Sequence, residues 1–66
     1  MPYATNEDLP ASVRSHLPEH AQEIFREAFN NSWTEFGGDE VRSFRIAWSA
    51  VKRKYEKAGD QWVPRA

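Results

Sequence analysis

The chain contains no cysteine, so neither disulfides nor thiolate zinc sites can replace a hydrophobic core, and nothing follows about redox compartment. It also lacks any stretch near the roughly 20 apolar residues needed to span a bilayer. The first residues show neither a basic start nor the apolar run of about seven or more that marks a secretory signal. These absences predict a soluble, cytoplasmic protein. No glycine-rich loop follows a strand pattern, no nucleophile elbow occurs, and Gly37-Gly38 lacks the lysine and hydroxyl of a phosphate loop. Ser12, Ser15, Ser32, Ser43 and Ser49 have no accompanying acid–base constellation. At 66 residues a chain buries only about 60% of the surface its unfolded form exposes, which leaves no room for a large enclosed active site. The expectation is a protein that is not an enzyme and uses no cofactor.

What the chain does have is aromatic residues: three Trp, four Phe and two Tyr. Each large apolar side chain contributes roughly 1.5–3 kcal/mol when fully buried, so a compact fold without metal is physically reasonable. Charge is nearly balanced overall but uneven along the chain. Residues 1–40 carry eight acids against Arg14 and Arg26, net −6. Residues 41–66 carry seven bases against Glu56 and Asp60, net +5. Such asymmetry either draws the two halves together as solvated, complementary faces or recruits an anionic partner to the second half.

Two Leu-Pro pairs, Leu9-Pro10 and Leu17-Pro18, punctuate the first third. A short helix fits Pro10 to about His16, with Asp8 able to accept from its first amides and Pro10 in its first turn. Pro18 disfavours a helical Leu17 and suits the first turn of a new helix, whose dipole Glu19 complements. Ala21, Ile24, Phe25, Ala28, Phe29, Trp33 and Phe36 then recur with the spacing of a wide amphipathic stripe. Gly37-Gly38 ends that helix and Asp39 caps the next. The third helix is expected from about Glu40 to Ala58, with Val41, Phe44, Trp48, Val51 and Tyr55 inward and Gly59 closing it. Ala47 and Ala50 lie to one side, where small residues admit a close neighbour. Gln61-Trp62-Val63 is expected to run beside the extended N-terminus, and the four-residue link between the long helices predicts a helical hairpin.

The segments His20-Ala21-Gln22-Glu23-Ile24-Phe25, Ala28-Phe29-Asn30 and Trp33, preceded by the two Leu-Pro pairs, resemble the ChaB family of small bacterial proteins. Ala47-Trp48-Ser49-Ala50-Val51-Lys52 and Tyr55 extend the resemblance over nearly the whole chain. The resemblance implies a regulator of cation transport whose partner is a sodium or calcium/proton antiporter of the ChaA type. It implies no binding site. Family members can carry a longer charged insertion between the long helices, so the link here looks shortened.

Four features could carry chemistry. His16 and His20 are four apart, but Pro18 separates them between two helices and no third ligand follows, so no metal site is expected. Glu19, Glu23 and Glu27 form an acidic helix face; carboxylates at that spacing repel mildly and do not converge as calcium requires. On the third helix Arg42, Arg45, Ser49, Lys52 and Arg53 form a stripe bordering the aromatic face, with Lys54 and Lys57 elsewhere. Four such bases can contact phosphates of nucleic acid or lipid, although the helix dipole also favours bases near a C-terminus for structural reasons alone. Trp33 and Trp48 fall in period with buried positions. Trp62 either caps the core beside Tyr3 or offers an exposed anchor to a partner.

These features describe a single, mainly α domain spanning residues 1–66: a short N-terminal helix, a long helical hairpin and a small two-stranded pairing of the chain ends. The expected function is a cytoplasmic, non-catalytic interaction module acting on a protein partner through Arg42, Arg45, Lys52, Arg53 and Trp62. The alternative is a small nucleic-acid-binding protein using the basic stripe. The sequence sets no oligomeric state.

Overall fold

A computed structural model describes residues 2–65. The described residues form a 3-10 turn (Asn6–Asp8), helices α1 (Ala11–Arg14), α2 (Glu19–Glu35) and α3 (Glu40–Lys54), and strands β1 (Tyr55–Ala58) and β2 (Gln61–Pro64). The mainly α architecture, the short first helix and the α2/α3 hairpin agree with the sequence pattern. Both prolines act one position earlier than expected, as the N-cap residues of α1 and α2. Their carbonyls take the first helical amides: Pro10 O accepts from Val13 and Arg14, Pro18 O from Gln22. Asp8 does not cap α1. Its carboxylate accepts from the backbone N–H and hydroxyl of Thr5 at 3.1 and 3.2 Å, closing the preceding turn instead.

The core is built where α2 crosses α3. Phe25 and Phe29 are completely buried, and both meet Phe44 of α3, at 5.8 and 5.0 Å between ring centroids. Trp48 sits edge-on to Phe25 at 5.2 Å. Leu9, Val13 and Leu17 fold α1 and its flanks onto this cluster. Val51 and Tyr55 are buried as expected, but the buried line within α3 is Ser43, Ala47 and Val51, so the centre of the inward face is turned by about 80° at 100° per residue from the expected one. Ser43 can occupy a fully buried position because its hydroxyl donates to Asp39 O at 2.7 Å, which satisfies the polar group. Val41, expected inward, is 68% exposed. With the buried line rotated, it falls off the face. Phe44 and Trp48 are half-buried flanks of the core.

Gly37 and Gly38, both at positive φ, end α2, and Gly38 N donates to Trp33 O at 2.8 Å. Asp39 then caps α3 through its side chain, which accepts from Arg42 N at 3.1 Å. The C-terminal boundary of α3 is corrected from Ala58 to Lys54. Tyr55 continues the helical period in sequence, yet its backbone is extended. Residues 55–58 pair antiparallel with 61–64, Lys57 opposite Trp62, around Gly59 and Asp60. Gly59 (φ 64) is therefore the first residue of a tight hairpin turn, the position where glycine favours a II′ geometry. The small two-stranded sheet is present, but β2's partner is this strand and not the N-terminus.

The N-terminal segment is held by side chains instead. Asn30 of α2 accepts from Tyr3 N and donates to Tyr3 O, both at 2.8 Å, as a strand neighbour would. Arg26 donates to Asn6 Oδ1 at 2.9 Å and to Ala4 O at 3.4 Å. The Tyr3 ring lies 4.8 Å from Phe29. Burial raises the Tyr3 hydroxyl above the ordinary phenol value, and the Glu40 carboxylate adds to the shift. This phenol stays neutral throughout the range in which carboxylates and histidines titrate.

Candidate interaction surface on the third helix

Because the buried line of α3 is Ser43-Ala47-Val51, the stripe Arg42, Arg45, Ser49, Arg53 faces away from the core. Lys52 stands at its border with Trp48. All of these bases are exposed, and among the described residues none of the four stands in a salt bridge. From Arg42 to Arg53 the stripe runs about 16 Å along the helix axis, at 1.5 Å per residue. Arg42 also lies over the Phe36 ring, with its guanidinium carbon 3.9 Å from the centroid. That contact ties it to the α2/α3 loop.

The five candidate residues do not form one patch. Arg42 and Arg45 line a shallow recess with Asp39 and Val41. Lys52 and Trp62 meet in a groove of about 280 Å³ that also holds Ser12, His16, Trp48 and Lys57. Arg53 belongs to a third depression, with His20, Lys54, Tyr55, Pro64 and Arg65. Trp62 is half-buried and packs on Trp48 at 5.7 Å, interplanar angle 36°. It thus caps the hydrophobic cluster over α3, away from the Tyr3–Phe29 contact, while one edge remains open to the groove. Lys57, set apart from the stripe in a helical reading, joins it because strand β1 carries it opposite Trp62. The Gly59-Asp60 pair was the sequence signal for that hairpin.

Arg65 has a role that periodicity could not show. Its backbone N–H donates to Lys54 O at 2.9 Å and its Nε to Lys52 O at 2.7 Å. Two carbonyls left open at the end of α3 are thereby satisfied from outside the helix. Its Nη1 reaches Glu56 Oε1 at 3.4 Å in an exposed pair that adds little stability.

His16 Nδ1 lies 3.2 Å from Ser15 Oγ and 2.8 Å from Ser12 O. A carbonyl can only accept, so Nδ1 carries the proton in that bond and is unavailable as a base toward the serine. His20 Nδ1 is 3.9 Å from Glu23. Glu19, Glu23 and Glu27 are all exposed, and among the described residues no three His, Asp or Glu side chains gather as a metal site would require. Nor is any helix of the described residues long and apolar enough to cross a membrane.

A family model of ChaB matches residues 9–65. The chain is 44% identical over 69 aligned positions to a protein of Escherichia coli (strain K12) named "Putative cation transport regulator ChaB", covering 91% of each chain. It is 37% identical to an "Uncharacterized 10.9 kDa protein in LEF8-FP intergenic region" of Lymantria dispar multicapsid nuclear polyhedrosis virus, covering 86% of this chain and 58% of that one. Its fold is similar to an NMR solution structure bearing the same cation-transport-regulator name, with a TM-score of 0.88 and 39% identity over 98% of this chain and 100% of the other. The Leu-Pro punctuation, the Phe25/Phe29 core, the α2/α3 hairpin and these matches together show that the chain belongs to the ChaB family.

Proposed function

We propose that the protein is a non-catalytic, single-domain interaction module of the cytoplasm that regulates a sodium or calcium/proton antiporter of the ChaA type. The outward face of α3 makes the contact, with Arg42, Arg45, Lys52 and Arg53 meeting an acidic cytoplasmic segment of the transporter and Trp62 bordering the contact. The supporting observation is the placement of these bases: exposed, outside salt bridges among the described residues, and turned away from the core. The name carried by relatives over 91% of the chain supplies the link to cation transport. The test is cation efflux from everted vesicles containing such an antiporter. Added protein changes the rate, and Arg45→Glu with Lys52→Glu abolishes the change while the melting temperature stays within a few degrees. Equal rates with and without the protein would remove this reading.

A second reading has its own support. Trp48 and Trp62 lie beside Lys52 and Lys57 in one groove, the mixture of aromatic surface and bases that single-stranded nucleic acid uses. On this reading, binding to an oligonucleotide weakens steeply between about 50 and 200 mM salt, and antiporter efflux is unaffected.

A further inference from the structure

We propose that the depression where the start of α2 meets the end of α3 and β2 is an anion site that takes a phosphate group. It is an open recess of about 410 Å³ lined by His20, Arg53, Lys54, Tyr55, Pro64 and Arg65. Among the described residues no Asp or Glu lines it, although the chain holds ten acids. Arg53, Lys54 and Arg65 can only donate hydrogen bonds, and the imidazole and phenol can each donate one. The site shares Arg53 with the proposed antiporter face, but its other lining residues lie outside that face.

Tyr55 supplies the strongest observation. It is only 5% exposed, and none of the hydrogen bonds among the described residues uses its hydroxyl. Yet among these residues no fully buried side-chain oxygen lacks a partner. The hydroxyl therefore keeps some surface open, and Tyr55 lines this depression as a largely buried phenol whose donor no described residue takes. Buried polar side chains ordinarily find partners within the protein.

Arg65 is more exposed and is anchored mainly through its bond to Lys52 O. The bond from its Nε to Lys52 O at 2.7 Å orients the guanidinium fork, and with one Nη1 bond to Glu56 further N–H donors stay open. Those bonds also occupy carbonyls at the negative end of the α3 dipole that would otherwise repel an anion. His20 lies in the first turn of α2, whose N-cap, Pro18, provides no side-chain acceptor. The positive end of that dipole reinforces the field of the three bases. Glu23 and Glu56 approach His20 and Arg65 from outside the lining, both as exposed carboxylates that water screens.

Free phosphate and a phospholipid headgroup share this chemistry. The test is titration of the ¹⁵N-labelled protein with inorganic phosphate at constant ionic strength, beside co-sedimentation with phosphatidylglycerol and phosphatidylcholine vesicles. The expected result is saturable shifts confined to His20, Arg53, Lys54, Tyr55 and Arg65. Tyr55→Phe, which removes an oxygen that no described residue bonds, and Arg53→Gln should each weaken binding by about tenfold. Saturable binding to phosphatidylglycerol vesicles, sensitive to the same two substitutions, supports the site with a headgroup as the source. The proposal is overturned if neither probe binds. It is also overturned if the shifts spread equally over Arg42 and Arg45 and ignore Tyr55→Phe, because that is screening of diffuse charge.

Discussion

Asn30 does at the residue scale what a strand would do at the scale of an element. Its amide accepts from and donates to the backbone of Tyr3, 27 residues earlier. In doing so it fixes the N-terminal segment over Phe29. Asn30→Ala should cost about 1–3 kcal/mol, since two half-buried backbone groups lose their partner. Urea unfolding would measure it, and a change below about 0.5 kcal/mol, the usual size of an ordinary surface substitution, would mean that the segment is not held there. Nothing in the sequence announced this role. A side chain that pairs with distant backbone leaves no period, and Asn30 was visible only as one letter of a family segment. Ser43 was hidden for the opposite reason. A buried serine does not stand out in an apolar pattern until its bond to Asp39 O is seen, and an inward set built from Val41, Phe44, Trp48, Val51 and Tyr55 alone turned the expected α3 face toward Val41.

At the scale of elements, local chemistry was legible wherever it acts within a few residues. Pro10 and Pro18 begin helices, Gly37-Gly38 ends one and Asp39 starts another, because caps and left-handed positions need particular residue types. The α3/β1 boundary was not legible from periodicity. Tyr55 satisfies the helical repeat and the first strand position equally, and a glycine at positive φ serves a helix end as well as a hairpin turn. Packing decides between them: β2 returns Trp62 onto Trp48 at 5.7 Å. A double-mutant cycle with Trp48→Ala and Trp62→Ala should therefore give a coupling energy of about 0.5–1.5 kcal/mol. Additive effects would place Trp62 elsewhere and contradict the hairpin.

Across the whole molecule, charge is sorted by the fold as well as by the sequence. The acids Glu19, Glu23 and Glu27 are exposed along α2, while Arg42, Arg45 and Arg53 of α3 are exposed on the side away from the buried Ser43-Ala47-Val51 line. The two helices meet through Phe25, Phe29, Phe44 and Trp48 rather than through opposite charges. Each charged face is consequently left to solvent or to a partner. The basic residues themselves were readable from the sequence, but their division among three depressions was not. That division depends on the hairpin bringing Lys57 and Trp62 beside Lys52 and on Arg65 returning to the end of α3. The most direct test of the α3 docking face is an amide-resolved binding footprint of the protein on a ChaA-type antiporter in nanodiscs. The account predicts loss of signal centred on Arg42, Arg45, Lys52 and Arg53, removed by Arg45→Glu with Lys52→Glu. A footprint centred on Glu19, Glu23 and Glu27, or none at all, would contradict it.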